Sequence, residues 1–91
     1  MATITKEKNK AKDLLKHLQQ KELMLYNDDV NTFEHVIECL MKVCGHTAVQ
    51  AEQCAYIVHY NGKCVVKKGY IEKLKYMYEA LRDEKLSVKI I

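Results

Sequence analysis

The chain has 91 residues, enough for one compact domain and too few for two, so its task rests on a single core and the surface around it. Hydrophobic residues make up 48% and charged residues 30%, with neither Pro nor Trp, the balance of an ordinary globular domain rather than of a disordered or membrane chain. The net charge of +3 is concentrated at the start: residues 1–21 hold six Lys against Glu7 and Asp13, and the remainder holds nine Lys and Arg against ten Asp and Glu, so the folded part lacks the clustered cations that a nucleic-acid partner requires.

Residues 1–21 read as a polar, flexible arm, with Leu14, Leu15 and Leu18 giving a frayed helical stripe at its end. The arm has lysines but no apolar block of the kind a secretory signal needs, and no later run approaches the length of a membrane span. A cytoplasmic protein without a membrane partner is expected. From residue 22 to 91 the pattern is that of one domain. Leu23 to Tyr26 form an apolar run that ends at Asn27-Asp28-Asp29, which predicts a short strand and then a loop.

Asn31 and Glu34 have the spacing of a capping box, and Phe33, Val36, Ile37, Leu40, Met41 and Cys44 recur at intervals of three and four, so a helix is expected from Thr32 to about Cys44. Gly45 is placed to end it in a left-handed conformation. Thr47 with Gln50 repeats the capping signal for a second helix, with Ala48, Ala51, Ala55 and Val58 on one face and a stop at Asn61-Gly62. Lys63 to Lys67 predicts a second strand, followed by a turn at Lys68-Gly69. A third helix from Tyr70 to about Glu84 and a strand alternating through Leu86, Val88 and Ile90 complete the chain. The order strand, helix, helix, strand, helix, strand predicts an α+β two-layer sandwich in which three helices cover one face of a three-stranded sheet.

Cys39, Cys44, Cys54 and Cys64 show no Cys-x-x-Cys spacing and read as reduced thiols. A zinc site would have to recruit His35, His46 or His59 from positions outside the usual zinc patterns, and no metal or cofactor is expected. Asp28 and His59 could pair as base and orienting acid. No Ser, Thr or Cys nucleophile is marked by a Gly-rich elbow, however, so no catalytic residue is assigned.

The stretches Leu25-Tyr26-Asn27-Asp28-Asp29-Val30-Asn31-Thr32-Phe33-Glu34-His35-Val36 and Val58-His59-Tyr60-Asn61-Gly62-Lys63-Cys64 together resemble the two signature segments of the ClpS family, from Leu23 to the C-terminus. That resemblance implies a non-enzymatic adaptor that reads N-terminal degradation signals, the N-degrons of the N-end rule. Its ligand would be a protein with a free α-amino group and a first residue of Leu, Phe, Tyr or Trp. The adaptor would deliver it to a Clp-type AAA+ unfoldase through that enzyme's N-terminal domain. By matching positions, the resemblance assigns Asn27, Asp28 and His59 to the amine. It assigns Asp29, Asn31, Phe33, Val36, Ala55, Val58 and Leu86 to the hydrophobic pocket and Glu72 to unfoldase docking.

The chemistry agrees with those residue types. A free N-terminus is an ammonium at neutral pH and needs clustered acceptors, which Asn, Asp and a neutral imidazole supply. Each of these residues also has a structural reading. Asn27 and Asp28 suit the end of a strand, His59 the C-terminus of a helix, and Phe33, Val36 and Val58 a core. A second reading is a plain protein-interaction domain of this architecture, like the C-terminal domain of the ribosomal stalk protein, with no such pocket. Where family members often have Thr-Pro-Met after the acidic pair this chain has Asn31-Thr32-Phe33, and it has Ala55 where Met is frequent. The resemblance thus leaves the ranking of Leu, Phe, Tyr and Trp open.

Overall fold

The computed structural model describes Leu14 and residues 19–91. Leu14 is helical and exposed, and the rest of the leucine stripe and of the expected arm up to residue 18 lies outside the described residues, whereas Gln20 and Lys21, expected in the arm, are already strand. Three strands, β1 (Gln20–Tyr26), β2 (Lys63–Tyr70) and β3 (Ser87–Ile90), form an antiparallel sheet in the order β2-β1-β3. Leu23 and Leu25 alternate inward on the central strand and are 0% and 1% exposed, so each contributes about 1.5–3 kcal/mol by burial. Val66 and Val88 extend that buried face onto the flanking strands.

Three helices, α1 (Phe33–Cys44), α2 (Ala48–Asn61) and α3 (Ile71–Asp83), cover this face. The helix α3 touches all three strands, α2 packs on β2, and α1 rests against α2 and α3. Ala51, Ala55 and Val58 form the buried stripe of α2, and their small size lets the neighbouring elements approach closely. The expected α+β architecture is the one observed. No helix among the described residues is long and apolar enough to cross a membrane.

Local signals place most helix ends correctly. Gly45 and Gly62 end α1 and α2 at φ of 69° and 90°, and Thr47 and Gln50 form the full capping box of α2. The start of α1 differs from expectation. Thr32, not Asn31, is the cap, accepting from the His35 amide at 3.1 Å, because the Asn31 side chain is engaged elsewhere.

The predicted turn at Lys68-Gly69 is instead strand. β1 begins at Gln20 and so has room to pair Gln20, Lys21 and Glu22 with Tyr70, Gly69 and Lys68. Gly69 lies over Leu74, and Lys68 sits 3.8 Å from Glu22. A bulge between Leu23 and Met24 leaves Val66 as the extra residue on β2.

Candidate functional site

The loop from Asn27 to Thr32 is tied down at three points. The Asn27 amide donates to the Gly62 carbonyl at 2.9 Å, which joins the loop to the end of α2. Asp28 accepts the Val30 and Asn31 amides on one carboxylate oxygen, at 3.0 and 2.8 Å, and the Asn31 side-chain amide on the other at 2.8 Å. That same Asn31 nitrogen donates to the Lys85 carbonyl at 2.9 Å and so links the loop to the turn between α3 and β3. Three separate chain segments are thereby held around one opening.

Between them lies a cavity of about 310 Å³. Val36, Ala55, Val58 and Leu86 give it an apolar interior, and Asn27, Asp28, Asp29, Asn31 and His59 give it a polar rim. Ala55, Val58 and Leu86 are only 4%, 5% and 3% exposed, so the cavity reaches the edge of the core. Phe33 lines it as well, with its half-buried ring 5.0 Å from Tyr56 and 5.6 Å from the His59 ring. The ten residues expected to hold the amine and the side chain therefore share one lining. Leu25, Tyr26 and Thr32 line it too. The inward alternation of β1 could have added Leu25, and the helix-cap chemistry Thr32.

The polar groups differ in what they already do. Burial of Asp28 works against its ionisation, but hydrogen bonds from Asn31, Val30 and Ser87 outweigh it and hold the carboxyl below its ordinary value. The group is a fixed anion at neutral pH that also braces the loop. His59 is exposed on the last turn of α2, steadied by ring contacts with Phe33 and Tyr60. No hydrogen bond among the described residues engages its nitrogens, so an incoming donor would meet no competitor there.

Glu72 lies away from this cavity, exposed in the first turn of α3. Cys44 and His46 border a different cleft beside β2, whose lining does not include His59. Burial pushes the Cys44 thiol up to about 11, and burial together with the Cys54 thiol pushes Cys64 up to about 12. Both stay protonated at neutral pH and are poor nucleophiles.

The family model for ATP-dependent Clp protease adaptor protein ClpS matches residues 16–89. The ATP-dependent Clp protease adapter protein ClpS of Thermosynechococcus vestitus is 37% identical over 67 residues, covering 72% of this chain and 71% of its own length. The protein of the same name from Synechocystis sp. is 35% identical over 68 residues, covering 74% and 69%. Among solved structures, Agrobacterium tumefaciens ClpS2 bound to L-phenylalaninamide shares the fold, with a TM-score of 0.75 at 22% identity over 80% of this chain and 95% of that one. With the match spanning nearly all of the described sheet and helices, the chain belongs to the ClpS family of Clp protease adaptors.

Proposed function

We propose that this adaptor grips the free N-terminus of proteins that begin with a large hydrophobic residue and delivers them to a Clp-type ATP-driven unfoldase, without catalysis of its own, in the cytoplasm. The observation that carries this reading is the pairing, within one cavity, of an apolar interior at Val36, Ala55, Val58 and Leu86 with an acceptor-rich rim at Asn27, Asp28 and His59. An ammonium group is attracted to that rim, and the side chain beside it enters the interior. The volume of about 310 Å³ sits at the small end of ligand pockets, which suits one side chain rather than a longer segment.

Charge-assisted hydrogen bonds contribute roughly 1.5–3 kcal/mol each and burial of a Leu or Phe side chain about the same again. Two or three such bonds plus one filled pocket reach about 8 kcal/mol, the free energy of micromolar binding. Neither part suffices alone. The ligand named for the Agrobacterium relative, L-phenylalaninamide, combines a free amine with an aromatic side chain, and so presents the same two features.

Docking to the unfoldase's N-terminal domain is proposed for the outer face of α3. Glu72 lies in its first turn, and a groove lined by Val43, Tyr76, Met77 and Ala80 between Lys42 and Lys73 continues that face along the helix. The part of the expected arm that precedes β1 is proposed to be engaged by the unfoldase during hand-over.

The alternative, an interaction domain of this architecture without a pocket, is disfavoured by the cavity itself. Titration of a labelled peptide that begins with Phe, against the same peptide acetylated at its amine, tests the proposal. Micromolar binding of the free form and none of the acetylated form is expected. Equal binding of the two would exclude recognition of the amine.

A further inference from the structure

Outside the lining of the cavity, three side chains with metal-ligating atoms converge. His35 and Cys39 stand four residues apart on α1, on the same helical face, and Glu84 comes from the end of α3. One ligand atom from each lies within 4.8 Å of the other two. The His35 Nε2 atom is 3.6 Å from Cys39 Sγ and 3.9 Å from a Glu84 carboxylate oxygen.

Zinc bonds of about 2.3 Å to sulfur and about 2.0–2.2 Å to nitrogen and oxygen, set at tetrahedral angles, require donor atoms about 3.4–3.6 Å apart. The two separations from His35 Nε2 are already close to that requirement, and the third is within 4.8 Å. The donor set of thiol, imidazole and carboxylate is one that Zn²⁺ accepts and that Mg²⁺ and Ca²⁺ disfavour. Cys39 is 3% exposed, but the His35 and Glu84 side chains are 34% and 37% exposed, so an ion can enter from solvent.

We propose that His35, Cys39 and Glu84 form a three-residue Zn²⁺ site with water as the fourth ligand. As the Zn–S bond forms, the thiol loses its proton to solvent, and the imidazole binds through its unprotonated nitrogen. Two contacts are given up in exchange. One is the 3.0 Å contact of His35 Nε2 with the Glu84 carbonyl, and the other is the 3.7 Å ion pair of Glu84 with the exposed Lys42.

The position gives the ion a structural consequence. In sequence His35 falls between Phe33 and Val36, both of which line the cavity, and Glu84 precedes Lys85 and Leu86, which hold Asn31 and close the interior. A bound ion would staple α1 to the turn between α3 and β3, in place of the His35 contact and the Lys42 ion pair that join them there without it.

The test is a titration of the reduced full-length protein with Co²⁺, followed by displacement with Zn²⁺. One equivalent of Co²⁺ should give the visible bands of a tetrahedral ion and a thiolate charge-transfer band, and Zn²⁺ should abolish both and raise the Tm. Cys39→Ser should remove the charge-transfer band. His35→Gln and Glu84→Gln, at partly exposed positions that keep the core intact, should each weaken uptake tenfold or more and cancel the rise in Tm. The double variant Cys54→Ser/Cys64→Ser should bind as the parent does. Absence of stoichiometric uptake would overturn the site, as would uptake unchanged in His35→Gln and Glu84→Gln or lost in the Cys54/Cys64 variant. Peptide binding plays no part in the readout, so the result is independent of the adaptor's ligand.

Discussion

Two clefts of similar size lie at opposite ends of α2, about 310 Å³ beside His59 and about 370 Å³ beside His46, and they differ in how their polar groups are used. In the His46 cleft they are turned inward. His46 Nε2 donates to the carbonyl of the bulged Val66 at 2.6 Å, and Lys67 Nζ donates to the Cys44 carbonyl at 3.3 Å. In the His59 cleft, Asp28 and Asn31 hold the loop, while the Asn27 side chain and the His59 ring face the opening with acceptor capacity to spare. A histidine beside a cavity is a binding group only where the fold has not already claimed it. His46 is of the claimed kind and His59 of the other.

Replacing each histidine in turn should break the comparison most clearly. His59→Ala is expected to lower the affinity for a Phe-initiated peptide by about 10- to 150-fold, equivalent to the roughly 1.5–3 kcal/mol of one charge-assisted hydrogen bond. His46→Ala should leave that affinity unchanged and instead reduce stability to denaturant by about 1–2 kcal/mol, because the Val66 carbonyl loses its donor. The opposite pattern in titration and unfolding curves would make His46 the binding group and His59 the structural one.

Ala55→Leu sharpens the comparison from the apolar side. Its added methyl groups would enter the cavity rather than the packed core, so peptide affinity should fall about tenfold, with Trp-initiated peptides affected more than Leu-initiated ones. Equal losses for both peptides would mean that the side chain binds elsewhere.

Asp28→Asn removes the anion that braces the loop and should cost about 1–2 kcal/mol at neutral pH. The folded chain holds this carboxyl below its ordinary value of 3.8, so its contribution is fully present above that pH and is lost as pH falls through the folded value. The stability gap between parent and variant should stay constant from pH 7 to about 5 and close below 3.8, as measured by urea denaturation across that range. A gap that does not narrow as pH falls below 3.8 would show that the charge is not what braces the loop.

The smallest effect is expected at Lys85, which holds a left-handed φ of 69° just before Leu86. Lys85→Gly should relieve that conformation and stabilise the protein by about 0.5–1 kcal/mol while leaving peptide affinity intact. Destabilisation would mean that the Lys85 side chain contributes more than its backbone costs.

What is legible in the residues is what is local. Gly45, Gly62 and the Thr47–Gln50 box act within a single turn of helix, so spacing alone locates them. The start of α1 departs from its spacing signal because Asn31 is drawn away by Asp28 and by the Lys85 carbonyl, a partner 54 residues distant. Lys68-Gly69 has the composition of a turn yet is strand, because its ladder partner, the first part of β1, lies in a polar stretch with no strand periodicity of its own.

The site divides along the same line. Asn27, Asp28 and His59 stand out by resemblance to a family, since each alone also suits a loop or a helix end. Their common cavity is a product of tertiary folding. The gathering of His35 and Cys39 with Glu84 follows no sequence spacing that marks a metal site, because α3 must first fold back over α1 to bring the carboxylate in.

The most direct measurement is an amide chemical-shift map of the labelled protein during titration with L-phenylalaninamide. The shifts should centre on residues 27–33, the last turn of α2 and Leu86, leave the amides of His46, Gln50 and Lys67 in place, and vanish with N-acetylated L-phenylalaninamide. Shifts centred on the His46 cleft, or the same shifts with the acetylated compound, would contradict the assignment of the amine-binding rim to Asn27, Asp28 and His59.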